Sequence, residues 1–263
     1  MQAREQILNY FRYVNEKELL GTSYLFIGKE GGLVSEIIKV LSCEADDLFC
    51  DTCWDCKHIN QGNHPDVYLL EPEGLNISID AIRQGIRFLS LKSFRLRRKY
   101  LVVKQAHLLS PEAANAFLKT LEEPPQHSFI GIATTQIDDV LPTIISRCRK
   151  IFLPFQEETA EAFQHGELAD FLKGQDLKFK DRQQFSSFLW TLITFLHQSL
   201  LFRVVGQNNQ LPKPDACEII LRRLGPNQIQ VLLAEALEIY ASHKTVNMNL
   251  ALQLIRLKLD VAA

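Results

Sequence analysis

Along the first 153 positions, short apolar runs alternate with segments whose apolar residues recur every three to four places. Ser23–Ile27 (SYLFI), Asp66–Glu71 (DVYLLE), Tyr100–Lys104 (YLVVK), Ser128–Thr134 (SFIGIAT) and Cys148–Leu153 (CRKIFL) are short and continuous, the pattern of strands buried on both faces. Between them, Leu33–Ser42, Ile77–Ser90, Pro111–Glu123 and Asp138–Arg147 carry helical spacing. Strands that alternate with crossover helices predict an α/β domain: a mostly parallel five-stranded sheet with flanking helices. After Pro154 only helical periodicity persists, broken by turn residues at Gly206–Pro214 and Gly225–Asn227. The expected organisation is an α/β core over 1–153, a short connecting segment over 154–180 and an all-α domain over 181–263.

Three helices carry further information. Ser110 is a good N-cap, Pro111 suits the first helical position and Glu112 complements the positive helix end, while Ala114, Phe117, Leu118 and Leu121 form one apolar stripe. Pro124 and Pro125 end this helix, and Glu122 and Glu123 then sit at its negative end, against the dipole. Either they are solvated or a structural partner holds them. Phe188–Val205 is long enough to cross a bilayer, but His197, Gln198 and Arg203 are costly in hydrocarbon, so a core helix is expected and no membrane span. In the final helix Leu250, Leu254, Leu257 and Val261 make one stripe, with Leu252 and Leu259 on other sides and Asn247 or Asn249 as cap. An apolar surface that broad suggests packing in a bundle, against this chain or another.

The chain's 263 residues are 46% hydrophobic and 23% charged, enough to bury a sizeable core and unlike a disordered tail. A net charge of −2 excludes a globally basic nucleic-acid coat. With no charged-then-apolar leader in Met1–Asn15, the expected compartment is cytoplasmic.

Gly28–Ser35 (GKEGGLVS) follows the first strand and opens a helix, where a phosphate-binding loop would stand. The first glycine and Ser35 are in register, and Gly31 and Gly32 give the loop its freedom. Leu33, however, occupies the second glycine's place and Val34 the lysine's, which removes the cation that reaches transferring phosphate. The third strand runs into Lys104 and Gln105 where acidic residues would hold magnesium. Two independent losses predict that this chain holds no nucleotide cofactor productively and hydrolyses no ATP; a simple turn that never bound nucleotide is the alternative for the loop alone.

Four of six cysteines, Cys43, Cys50, Cys53 and Cys56, fall within fourteen positions; Cys148 and Cys217 are isolated. Overlapping C-x2-C pairs in a chain without a leader point to a metal, and four thiolates complete a closed tetrahedral zinc shell, a structural site with no open position for water. Redox chemistry and plain buried thiols are the alternatives. His58 and His64 are possible but unneeded substitutes, and Lys39 and Lys57 are near enough in sequence to offset the negative charge.

Between Ala81 and Pro111 stand eight basic residues and no acid: Arg83, Arg87, Lys92, Arg95, Arg97, Arg98, Lys99 and Lys104. Such a stretch could track a phosphate backbone or be the wet side of a helix whose apolar stripe is Ile82, Ile86 and Leu89. Arg147, Arg149 and Lys150 similarly complement a helix end by themselves.

In this order, the pieces resemble the AAA+ subunits of bacterial DNA polymerase III clamp loaders. The resemblance rests on the cysteine knuckle after the first crossover helix, NHPDVYLLEP at Asn63–Pro72, LLSPEAANAFLKTLEEPP at Leu108–Pro125 and LPTIISRCR at Leu141–Arg149, covers about 1–153, and returns at Asn247–Leu259. Within the family, the lost lysine and acids point toward the delta-prime type of subunit and away from the ATP-hydrolysing motor.

The resemblance implies that Arg147, in the motif Ser146-Arg147-Cys148, acts as an arginine finger in trans on nucleotide held by a neighbouring motor subunit. It also implies that Cys43, Cys50, Cys53 and Cys56 hold structural zinc, that 154–180 is a truncated lid, and that 181–263 belongs to the oligomerising collar. Implied partners are gamma/tau motor subunits, the clamp-opening delta subunit, the sliding clamp indirectly, and primer-template DNA within the complex. Two departures stand out. Six residues separate the first two cysteines where the family usually has eight, and the lid and collar are short. An active motor subunit with a divergent pocket, or a stand-alone zinc-dependent DNA-binding protein, are the competing readings.

Overall fold

The computed structural model describes residues 2–29, 32–45, 48–72, 74–153, 165–175, 177, 179–205, 220, 222–241 and 246–262. The chain divides into two compact units, residues 11–153 and residues 1–10 with 154–263.

The first unit is built on five strands, β1 (Ser23–Ile27), β2 (Val67–Leu70), β3 (Lys99–Val103), β4 (Ser128–Thr134) and β5 (Arg149–Phe152). All pairs are parallel, in the order β2-β3-β4-β1-β5. The connecting helices are α2 (Leu33–Ser42), α3 (Trp54–Asn60), α4 (Ile79–Ser90), α5 (Pro111–Glu122) and α6 (Pro142–Ile145); α1 (Gln2–Glu16) precedes the sheet and its residues divide between the units. β1, β3 and β4 are buried throughout, which is why they read as unbroken apolar runs. Phe11, Tyr24, Phe129 and Tyr100 form an aromatic cluster with ring centres 4.9, 5.4 and 5.7 Å apart in succession. Helix α2 lies close against β4 at Gly131, where an added Cβ would stand 3.3 Å from Val34 Cγ1.

Ser110 and Ser78 cap α5 and α4, each accepting from the amide three residues on. The expected helix over Asp138–Arg147 is not continuous. A 3-10 turn at Ile137–Asp139 gives way to extended backbone at Val140, and α6 starts afresh at Pro142. Pro142 has no N–H to continue a helix and is suited to start one.

The second unit contains α7 (His165–Leu172), α8 (Arg182–Val205), α9 (Pro226–Ala241) and α10 (Met248–Ala262). Helix α8 is long and apolar enough by composition to cross a membrane, yet 72% of its apolar window is buried inside the protein. Phe185, Phe188, Leu189, Leu192, Ile193 and Leu196 are fully buried, and Trp190 packs on Tyr240 of α9 at 5.3 Å. Asn247 caps α10 by accepting from the amides of Asn249 and Leu250. The buried face of α10 is Ala251, Leu252 and Ile255, whereas Leu250, Leu254 and Leu257 of the expected stripe are exposed. Of the segment expected as a lid, 154–164, 176 and 178 lie outside the described residues, as do Gly206–Pro214 and Cys217.

Candidate functional site

In parallel α/β sheets, ligands bind beyond the carboxyl ends of the strands, where the chain order reverses. Here that position lies around β1, whose neighbours β4 and β5 run to opposite sides. Gly28 leaves β1 with φ 124° and donates its amide to Thr134 O at 2.8 Å, and Gly32 caps α2 with φ 82°. Both glycines adopt left-handed backbone that other residues take at a cost; Gly31, between them, lies outside the described residues.

The helix that such a loop would aim at phosphate is therefore present, but its first turn is apolar. Leu33 and Val34 are buried, Val34 against β4, and Ser35 is half-buried. On the adjoining β3, Lys104 follows the last strand residue and its Nζ donates to Glu71 Oε1 at 2.8 Å. The Glu71 carboxylate, just beyond β2, is thus paired with a lysine. Thr134 at the end of β4 meets His107 Nδ1 at 3.2 Å and accepts from the Gln136 amide. Neither Thr134 nor His107 stood out in sequence, since a lone threonine or histidine beside a strand has no distinctive spacing.

The four knuckle cysteines converge. Their sulfurs all lie within 4.8 Å of one another, with Cys43 Sγ and Cys50 Sγ 3.6 Å apart. Four sulfurs at tetrahedral zinc distances stand about 3.8 Å apart, so the donor set fits such an ion. Local structure produces the convergence: Cys43 ends α2, Cys53 caps α3 by accepting from the Cys56 amide, and Cys50 accepts from the Cys53 amide at 3.2 Å. Hydrogen bonds from the Thr52 side chain and from the Cys53 and Thr52 amides hold the Cys50 thiol down to about 6, whereas burial pushes Cys53 and Cys56 up. Two histidines near the knuckle are engaged elsewhere. His58 Nδ1 meets Trp54 O, and His64 accepts the Asp66 amide on Nδ1, which leaves its Nε2 proton for Asp55. The expected charge offset takes another form, because Lys39 donates to Asp51 at 2.6 Å and lies over the Phe49 ring.

Arg147 lies just beyond α6. Its Nε donates to Glu122 Oε1 at 2.8 Å, Nη2 reaches the same oxygen, and Nη1 donates to Thr143 O at 2.9 Å. Glu122 is therefore not a merely solvated charge at the wrong end of a helix; its partner comes from a segment 25 residues away. Ser146 donates to Thr143 O, and Cys148 is buried with its thiol pushed up to about 12 by burial, the state of a packing residue and not of a nucleophile.

Asp66, in the sequence only part of a strand and of the Asn63–Pro72 segment, organises the basic stretch. Asp66 is fully buried and accepts the amides of Phe94, Arg95 and Leu96 at 2.6–2.8 Å, with Lys99 Nζ at 3.0 Å. Burial raises its pKa, but these four donors outweigh burial and hold the carboxyl below the usual carboxylate range. Asp55 behaves in the same way: burial is outweighed by Arg95 at 2.6 Å and by His64.

A parallel sheet of this order with a loop-to-helix phosphate architecture at its switch point defines an AAA+-like core, to which this chain adds a four-cysteine knuckle. The chain belongs to the DNA polymerase III, delta subunit family, whose model matches residues 3–157. It is 36% identical over 155 residues to DNA polymerase III subunit delta' of Bacillus subtilis, covering 56% of this chain and 46% of that one. It is 41% identical over 128 residues to subunit delta' of Escherichia coli (47% and 38%) and 35% identical over 146 residues to subunit tau of Bacillus subtilis (53% and 25%). Each match spans less than half the relative's own length.

Proposed function

We propose that this chain is a non-hydrolysing, delta-prime-like subunit of a bacterial DNA polymerase III clamp loader. It works in the cytoplasm beside gamma/tau motor subunits and the clamp-opening delta subunit, and assists loading of the sliding clamp on primed DNA. One observation carries this reading: the nucleotide position keeps its glycine turn and its helix while the lysine's place is a buried valine and the strand end is a lysine paired with Glu71. With a valine in the lysine's place and Lys104 and Gln105 in place of the acids at the strand end, the site lacks the groups that neutralise and orient a transferring phosphoryl group.

Arg147 is the proposed finger. Its side chain is one-third exposed at the end of α6, so the guanidinium stands where a neighbouring subunit can reach it. There it would stabilise charge developing on a phosphoryl group held next door. Helices α8, α9 and α10 are the proposed collar. The test of the assembly is purification from cells through a tag on this chain. Recovery of motor and clamp-opening subunits is expected; recovery of the chain without them contradicts the assignment.

For the knuckle we assign zinc, held by Cys43, Cys50, Cys53 and Cys56, as a closed structural site. When bound, the ion supplies a cross-link between the end of α2 and the start of α3. Metal analysis of chelator-washed protein is expected to give near one zinc per chain, and Cys53→Ala to lose it. Retention of stoichiometric zinc by Cys53→Ala would show that the four thiols are not the ligand set.

A further inference from the structure

The loop between α4 and β3 has properties that the proposed role in clamp loading does not use. It holds large apolar side chains out in water: Phe94 is 78% exposed and Leu91 62%. A flexible loop would fold such groups inward, since their exposure is unfavourable. Here the backbone is not free to do so, because the amides of Phe94, Arg95 and Leu96 are all fixed on the buried Asp66 carboxylate. A second tether joins the loop to the knuckle. Arg95 Nε donates to Asp55 Oδ1 at 2.6 Å, and its guanidinium lies 5.0 Å from the Trp54 ring centre. Trp54 is also stacked on His58 at 3.7 Å, and Phe94, without such a partner ring among the described residues, is the more exposed of the two aromatic side chains.

Exposed cations stand close to Phe94 along the chain. Arg87 in the last turn of α4, Lys92 and Arg97 are exposed and form no ion pair among the described residues, unlike Arg83, which pairs with Asp80 at the helix's other end. An exposed aromatic ring on a fixed backbone, with neighbouring cations that form no ion pair among the described residues, has the two components of a single-strand binding platform: a stacking face and a path for phosphates. A duplex offers no free base face to Phe94, and an acidic protein segment would use the cations but not the ring. We infer that the Leu91–Arg98 loop, buttressed by the knuckle, is a binding surface for single-stranded nucleic acid.

The experiment measures anisotropy of labelled oligo-dT and oligo-U on titration with the full chain, over a salt series. Saturable binding that weakens steeply with salt is expected, and the tighter of the two oligomers assigns DNA or RNA. Phe94→Ala is expected to lower affinity about tenfold, and Arg97→Glu with Lys92→Glu to lower it further and flatten the salt slope. Arg83→Glu is expected to leave affinity unchanged. All four positions are exposed, so circular dichroism should show these variants folded. The inference is overturned if the chain leaves both oligomers unbound, if inorganic polyphosphate competes equally well with and without Phe94, or if poly-glutamate binds in preference to either oligomer. None of these outcomes bears on Arg147 or on the assembly, which stand or fall on their own tests.

Discussion

Replacing Arg147 by alanine is expected to lower the DNA- and clamp-stimulated ATPase of a reconstituted loader by up to about a thousandfold at the site this chain faces. A trans arginine stabilises charge that appears only in the transition state, so the loss should fall on kcat and leave nucleotide affinity at the neighbour nearly unchanged. Arg147→Lys separates this role from a packing role. It retains the charge but not the fork that reaches Glu122 and Thr143 O together, and most of the loss should remain. Glu122→Gln probes the anchor. Its carboxylate is half-exposed, so the pair contributes little to folding stability, and any rate change should reflect placement of Arg147. Unchanged ATPase in Arg147→Ala would mean that the Glu122–Arg147 pair serves only to join α5 to the turn after α6.

Asp66→Ala is the substitution with the largest expected effect on folding, about 3–5 kcal/mol, because it leaves Lys99 buried without its carboxylate and strands three loop amides. Trp54 fluorescence in a urea titration is the suitable probe, since Trp54 lies in the same unit and touches Arg95. The pH dependence has a definite sign. The folded-state pKa of Asp66 is depressed, so its contribution is complete above the unfolded value of about 3.9 and is lost as pH falls toward the lower folded value. The difference between the native chain and Asp66→Ala should therefore be constant near neutrality and shrink below about pH 4. A constant difference down to pH 2 would mean that the Asp66 pKa is the same in the folded and the unfolded chain.

The sheet was legible because its central strands are buried on both faces: five apolar runs became five strands, with ends displaced by no more than a residue or two. The helix over Asp138–Arg147 was over-extended because periodicity on both sides of Pro142 masked the break that proline imposes. On α10 the pattern showed apolar residues on several sides. Which side faces inward depends on what packs there, and it is Ala251, Leu252 and Ile255 and not the leucine stripe.

The convergence of the cysteine knuckle was legible from spacing, because side chains three residues apart on a turn and a helix start come together. Glu122 stood out as a charge at the wrong helix end, but its partner is set by tertiary structure, which brings α5 beside α6. Asp66 was visible only as the start of a strand and as part of the Asn63–Pro72 segment, and nothing in the sequence pointed to what it binds. Only the fold brings three amides and Lys99 to it.

The proposed subunit keeps a nucleotide-type loop without the lysine and the strand-end acids that ATP hydrolysis requires. Magnesium-dependent ATP turnover by the purified chain tests that claim most directly, measured beside Ser35→Ala to separate its own activity from a contaminant. No turnover above background is expected in either protein. Sustained hydrolysis by the native chain that disappears in Ser35→Ala would contradict the claim.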